Sequence, residues 1–436
     1  MPVTGLLSAI LLFSSCAGPG AAQGAEDAAG RPAAETRDPA ESAPAEAPVS
    51  LRILCAGDVM VHAPQLAAQR DDASGNYDFG NNFAYVKEYV AEADLALCNL
   101  ETTLGGEPYT GYPAFSSPDS LADALAGAGF DAVFTSNNHM LDRGAAGLRR
   151  TLETARAAGL VTAGSRLSED EPSSPLLSRK GIDVALVAFT YESPRAGASR
   201  TLNGIPISDE LRPLIHSFGY EDIDGDLARV DGEIRRAREA GADIVVCYFH
   251  WGTEYRLSQN GDQEYIASRA AISGADVIFA SHPHVPQGMA YLYPAADRAV
   301  PVFYSLGNFL SNQRAETTGS LHTEQGLMAM VDIRFMRSSG EISQIEAKVL
   351  PTWVDKYRSE GRDIYAIVPL AGDFENKPPL SASGHADRAR RALEYCTELF
   401  GEAALYRETA KPTEAGSRVL AHSGAFAGAK EKYAQQ

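Results

Sequence analysis

The stretch "ADVIFASHPHV", residues 275–285, is an apolar run that closes on two histidines, His282 and His284, one residue apart. Side chains alternate along an extended backbone, so a spacing of two points both rings to one side. A polar turn around Pro283 would account for the pair, and so would half of a metal site. The other apolar runs decide between these readings.

Several of them end in the same manner. "LRILCAGD" (51–58) ends at Asp58, with His62 shortly after, and "ADLALCNLE" (93–101) ends in Asn99 and Glu101. "FDAVFTSNNH" (130–139) delivers Asn137, Asn138 and His139, with Asp142 close behind. "ADIVVCYFHWG" (242–252) delivers His250. These runs read as strands separated by helical stretches, such as 144–158 and the segment "GDQEYIASRAAISG", closed by Gly274. "DVALVAFTY" (183–191) is a further strand of the same kind. In α/β sheets ligands bind beyond the carboxyl ends of strands, so five strands are expected to bring these side chains to one edge.

Each feature has a plain alternative. A lone Asp after a strand caps a turn, "NNH" can be an Asn-rich turn, and His250 beside Trp251 can be a packed core residue. Together they are harder to dismiss. Of nine histidines, five sit at strand ends, whereas His216, His322, His385 and His422 fall in loops or the tail. Imidazole, carboxylate and amide oxygen suit Mn²⁺, Fe²⁺ or Zn²⁺ better than an all-oxygen Ca²⁺ site. Asp58 or Glu101 could bridge two such ions about 3.5–4 Å apart, the spacing of two-metal hydrolytic centres.

From 299 onward the pattern changes. "AVPVFYSLGNF" (299–309), "GLMAMVDIRF" (326–335) and "ISQIEAKVLPTWV" (342–354) are strands without long helices between them. The expectation is an α/β layered sandwich of two mixed sheets flanked by helices, over residues 50–354. Residues 355–436 read as a C-terminal extension with one amphipathic helix (383–405) and a frayed tail.

The 436-residue chain is 44% apolar and carries a formal charge of −19, from 38 basic and 57 acidic residues. That charge argues against nucleic-acid binding, and an anionic substrate would need local positive charge such as bound metal. "MPVTGLLSAILLFSSC" (1–16) is too short to cross a bilayer and reads as a secretory signal. Its "FSSC" resembles a lipobox, with Cys16 as the lipidated residue. Residues 17–49, rich in Ala, Gly, Pro and acidic residues, read as a disordered spacer. The protein is thus expected to be exported and held as a lipoprotein on the outer face of the cytoplasmic membrane. Cys55, Cys98, Cys247 and Cys396 are widely spaced, as buried free thiols would be.

The ordered series "GDVM", "NLET", "SNNHMLDRG", "HWGTEY", "SHPHV" and "YSLGNF" resembles the CapA/PgsA family of poly-γ-glutamate capsule synthesis proteins, over residues 51–354. The resemblance implies a calcineurin-like metallophosphatase fold. It implies metal ligation by Asp58, Glu101, Asn138, His250, His282 and His284. His139 would be the acid that protonates the leaving group, with Asp142 orienting it. His62, Asn99 and Asn308 are further candidates. The superfamily has a histidine where this chain has Met60, which leaves one ion or two open. The implied partners are membrane-bound poly-γ-glutamate synthase components, and the implied substrate is an anionic polymer or phosphoester. The alternatives are a metal-dependent hydrolase of phosphoester or amide bonds unconnected with capsule, and a non-catalytic metal- or polymer-binding scaffold.

Overall fold

The computed structural model describes residues 47–406 apart from residue 198. The signal, Cys16, most of the spacer and the tail beyond 406 lie outside the described residues. In chain order the strands are β1 (Val49–Val59), β2 (Leu95–Leu100), β3 (Ala132–Phe134), β4 (Val161–Ala163), β5 (Leu176–Arg179) and β6 (Ile182–Tyr191). Then come β7 (Ser193–Ala196), β8 (Ser199–Leu202), β9 (Ile205–Pro206), β10 (Ser217–Phe218), β11 (Ile244–His250) and β12 (Val277–Ser281). The last six are β13 (Met289–Ala295), β14 (Arg298–Phe303), β15 (Asn308–Leu310), β16 (Gln325–Met336), β17 (Glu341–Ser359) and β18 (Arg362–Pro369).

They form two large sheets and one small one. The first sheet runs β18-β17-β16-β1-β2-β3-β4, with β15 also on β1; the second runs β10-β6-β11-β12-β14-β13, with β5 also on β6. Both are mixed. β1 through β4 pair in parallel while β16, β17 and β18 are antiparallel, and β6, β11, β12 and β14 are parallel while β13 is antiparallel.

Strand periodicity sets the layers. Ile53, Cys55, Leu95 and Leu97 of the first sheet meet Val184, Leu186, Val246, Tyr248 and Phe279 of the second in a central core. The alternate residues face outward. Leu54, Ala96 and Cys98 pack on the helix Ser120–Ala128 through Leu121 and Leu125. Val245, Cys247 and Phe249 pack on the helices Ile223–Glu239 and Gly261–Ser273. The order is therefore helix, sheet, sheet, helix. Each fully buried Leu, Ile, Val or Phe contributes about 1.5–3 kcal/mol, so this two-sided alternation specifies register strongly. Cys55, Cys98, Cys247 and Cys396 are buried free thiols.

The C-terminal boundary drawn at 354 is corrected. β17 runs straight through it, β18 adds an edge strand, and the helix Ala386–Phe400 places Tyr395, Cys396 and Phe400 in the central core. The loss of α/β alternation after Trp353 reflects a change from parallel crossovers to antiparallel hairpins, within one structural unit. Likewise, Val49, assigned to the spacer, already pairs with Phe335. Among the described residues no helix is long and apolar enough to cross a membrane.

Candidate metal centre

In β1, Leu54 and Ala56 face the outer helices, so Asp58 would follow them away from the central core. A bulge reverses its phase. Ala56 pairs with Cys98 and Asp58 with the very next residue of β2, Asn99, leaving Gly57 as the extra residue. Gly57 is required here, because a Cβ would lie 2.0 Å from the backbone oxygen of Gly307. After the bulge Val59 packs outward, and the Asp58 carboxylate is held by His284 and Asn99.

The opposite side departs from regular geometry too. β12 ends at Ser281, so His282 and His284 do not converge by strand alternation. Both have left-handed backbones, with φ of 100° and 58°, and Pro283 lies between them. A non-glycine residue at φ 100° is uncommon and costs on the order of 1–3 kcal/mol. Their rings stand 5.8 Å apart, and His282 lies 4.9 Å from His250. The expectation of one sheet edge is corrected as well. β1, β2 and β3 belong to the first sheet and β11 and β12 to the second, so two carboxyl edges meet here.

The buried groups converge on Glu101. Its Oε1 is 3.4 Å from His250 Nε2 and 3.6 Å from His284 Nε2. Asn138 Oδ1 reaches the same His250 Nε2 at 2.9 Å. Asp58 takes a hydrogen bond from Asn99 Nδ2 at 2.8 Å and is 3.0 Å from His284 Nδ1. Two ligand sets overlap, Glu101–His250–His282 and Asp58–Glu101–His284, each with its donor atoms within 4.8 Å of one another. Glu101 belongs to both. A third set, Glu254–His282–His284, adds the exposed Glu254.

The donor set fits a divalent ion on two counts. Glu101 Oε1 and His282 Nδ1 are buried with no hydrogen-bond partner, a costly state unless something else binds them. Electrostatics point the same way. Burial, then the neighbouring Asp58 charge, pushes the Glu101 carboxyl well above its ordinary range. Burial pulls His250 down to about 3 and His282 well below its usual value. Burial also opposes ionisation of Asp58, but the His284 hydrogen bond and charge outweigh it and lower that carboxyl. A bound cation would favour the ionised carboxylates and the neutral imidazoles together.

His139 sits beside this cluster and is felt electrostatically by His250 and His282. Its Nδ1 is 2.8 Å from Asp142 Oδ2, which also accepts from the Phe115 N–H. That pairing places the ring proton at Nδ1 and leaves Nε2 for other chemistry. Asn99 bonds Asp58 and is held by Asn137, so it braces the first strand ends. One candidate stands outside the cluster. His62 stands at its rim, with Nδ1 engaged by Gln65 and by the Asn312 N–H. Asn308, which pairs with Asp58 across β1 and β15, donates Nδ2 to Gln313 and to the Thr323 carbonyl, while its Oδ1 is buried with no partner.

Three neighbours were missed from sequence. Tyr191, at the end of β6, packs 4.6 Å from His282. Glu254 lay in the "HWGTEY" series but was not singled out. Asn203 comes from the small sheet β7-β8-β9 and reaches Asn138 and His139. A two-residue Asn-Gly hairpin was its only sequence signal.

A sequence model of the family described as bacterial capsule synthesis protein, PGA_cap, matches residues 52–313. The chain belongs to the PGA_cap family. Its PGA_cap region contains every residue of the cluster. The capsule biosynthesis protein CapA of Bacillus anthracis is 29% identical over 239 residues, covering 53% of this chain and 54% of that protein. The PGA biosynthesis protein CapA of Bacillus subtilis is 29% identical over 245 residues, covering 53% and 57%. The chain thus spans about half the length of the curated relatives it matches. Among solved structures, one described as a novel phosphatase from Mycoplasma pneumoniae is similar at 14% identity with a TM-score of 0.39, covering 70% of this chain and 94% of that one. That degree of likeness carries no functional argument.

Proposed function

We propose that this PGA_cap protein acts in poly-γ-glutamate capsule synthesis or export as a metal-dependent hydrolase. On this reading it is tethered through Cys16 outside the cytoplasmic membrane, beside membrane-bound synthase components. Family membership supports the capsule role. The observation that carries the chemistry is the double sharing of Glu101, whose buried, unpartnered Oε1 lies between His250 and His284. Asp58, Glu101, Asn138, His250, His282 and His284 would hold one or two ions of Mn²⁺, Fe²⁺ or Zn²⁺. When bound, such ions polarise a phosphoryl or carbonyl oxygen as Lewis acids. They also supply local positive charge that a chain of net charge −19 lacks for an anionic substrate.

The protein's own groups do the rest. Asp142 holds the Nδ1–H and stabilises the imidazolium, so the doubly protonated His139 gives its Nε2 proton to the leaving group and returns to the neutral Nδ1–H form. Asn99 and Asn137 brace the first-sheet edge. The test is twofold. Deleting the gene should abolish surface polyglutamate, and restoring it with His139→Ala should fail to rescue. Unchanged polymer on deletion overturns the capsule role. Purified protein with Mn²⁺ should turn over a model phosphoester at a rate that His139→Ala lowers about 10²–10⁴-fold. Turnover indifferent to that substitution overturns the catalytic role.

A further inference from the structure

Asn138 has two chemically different ends. An amide offers one acceptor oxygen and one donor nitrogen of similar shape, so only its partners decide which end faces a metal site. Here Oδ1 faces His250 Nε2 at 2.9 Å, while Nδ2 donates to Asn203 Oδ1 at 3.1 Å. Asn203 is 65 residues further along the chain, at the tip of the β8–β9 hairpin. Leu202 pairs with Ile205 across a two-residue turn. Asn203 and Gly204 have φ of 46° and 78°, the double positive φ of a type I′ turn, in which Asn-Gly is favoured.

The hairpin is fixed from two sides. Leu202 is fully buried and packs with Met140, Leu141 and Leu148, on the segment that follows His139. Arg200 Nη1 donates to Glu192 Oε2 at 2.8 Å and to Asp226 Oδ2 at 2.7 Å, both on buried residues. The turn therefore fixes the backbone of the exposed Asn203, whose Oδ1 meets Asn138 and whose Nδ2 lies 3.4 Å from His139 Nδ1. The Tyr191 hydroxyl is a third side chain on the Asn138 amide, but a hydroxyl donates or accepts and so does not discriminate the two ends.

We propose that Asn203 is a positioning residue that sets the orientation of Asn138, keeping Oδ1 aimed at the metal centre and Nδ2 away from it. The inference rests on the reading of that cluster as a metal site. If Asn138 turned over, an N–H pair would face His250 and Glu101, and the site would lose one oxygen ligand. Groups that orient a metal ligand from behind are worth about 10–100-fold in affinity.

Asn203→Gly keeps the positive φ of the turn and removes the acceptor. Asn203→Asp keeps both the acceptor and the turn preference. The two variants separate the side chain's role from the hairpin's backbone. Mn²⁺ affinity by calorimetry should fall at least about 10-fold in Asn203→Gly and stay within about 3-fold of wild type in Asn203→Asp. Crystal structures of the metal-free proteins should show the Asn138 amide displaced or reversed only in the glycine variant. Unchanged Mn²⁺ affinity in Asn203→Gly, equal loss in both variants, or displacement of Asn138 by Tyr191→Phe but not by Asn203→Gly would overturn the proposal. Failure of the wild-type protein to bind Mn²⁺ would overturn the metal reading, whereas the Asn138 orientation in the metal-free crystals would still decide this one.

Discussion

The two sheet edges that meet at the site supply opposite chemistry. The first sheet brings oxygen donors on Asp58, Glu101 and Asn138, and the second brings nitrogen donors on His250, His282 and His284. Neither edge makes a fully buried ligand set alone, since both buried triads draw on both sheets. The edges also reach their geometry by different devices. The first inverts its phase with a bulge at a glycine that no other residue can replace, and the second abandons the strand for two left-handed histidines. The difference teaches that this site forms only when the sandwich closes. Its ligands become costly to bury at the moment the two sheets pack.

Acidification should cost stability through the buried imidazoles, on the nitrogen side and beyond it, and this is the largest effect expected. Burial holds His62 and His216 down to about 4 and His250 to about 3. An unfolded imidazole titrates near 6.5. Between those values the unfolded chain binds more protons, so stability is complete above about pH 6.5 and is lost as pH falls toward 4 and then 3. Each group contributes a loss on the order of 2 kcal/mol by pH 5. Glu101, raised by burial and by Asp58, works in the opposite direction, but it is one group against several imidazoles. Chemical denaturation of metal-free protein from pH 7.5 to 4.5 should show this slope. A flat profile would mean that these imidazoles are not buried in solution.

That asymmetry also explains what could be read from the sequence. The helix–sheet–sheet–helix order was legible because alternation in runs such as "ADIVVCYFHWG" requires two packed faces. The strand-end residues were legible because their types are rare and their placement repeated. The geometry that joins them was not. No periodicity reveals that Gly57 is a bulge, and the spacing of His282 and His284 gave the right neighbours for the wrong reason. Asn203 was invisible because tertiary contact, rather than local pattern, brings a hairpin tip to a site 65 residues back. The boundary at 354 failed because a change in strand connection resembles the end of a domain.

Glu101→Gln tests the oxygen side with an effect of intermediate size. The two overlapping triads share this carboxylate, so its amide isostere should remove the bridging charge from both ion positions at once. Mn²⁺ affinity should fall by more than about 100-fold, beyond the loss seen for groups that only orient a ligand. The metal-free protein should be no less stable, and its melting temperature should rise, because a buried carboxyl whose ionisation burial and Asp58 oppose, and whose Oε1 has no partner, is replaced by a neutral group. Calorimetric titration and melting with and without Mn²⁺ read both signs. Retained affinity would mean that Glu101 is a structural acid.

Glu254→Gln is the complementary test and should have the smallest effect. Both glutamates lie within reach of the same imidazoles, yet Glu101 is fully buried whereas Glu254 is exposed. An exposed carboxylate keeps its water, competes with solvent for any ion, and is screened by salt. Its Coulombic contribution at about 4 Å falls from roughly 4 kcal/mol near a protein surface toward 1 kcal/mol in bulk water, and much of that is returned as lost hydration. Mn²⁺ affinity should therefore drop by no more than about 5-fold, with a dependence on ionic strength that Glu101→Gln lacks. If Glu254→Gln cost as much as Glu101→Gln, the ion would reside at the mouth on His282 and His284. The nitrogen edge would then bind metal without the first sheet, and the closure of the sandwich would no longer be what assembles the site.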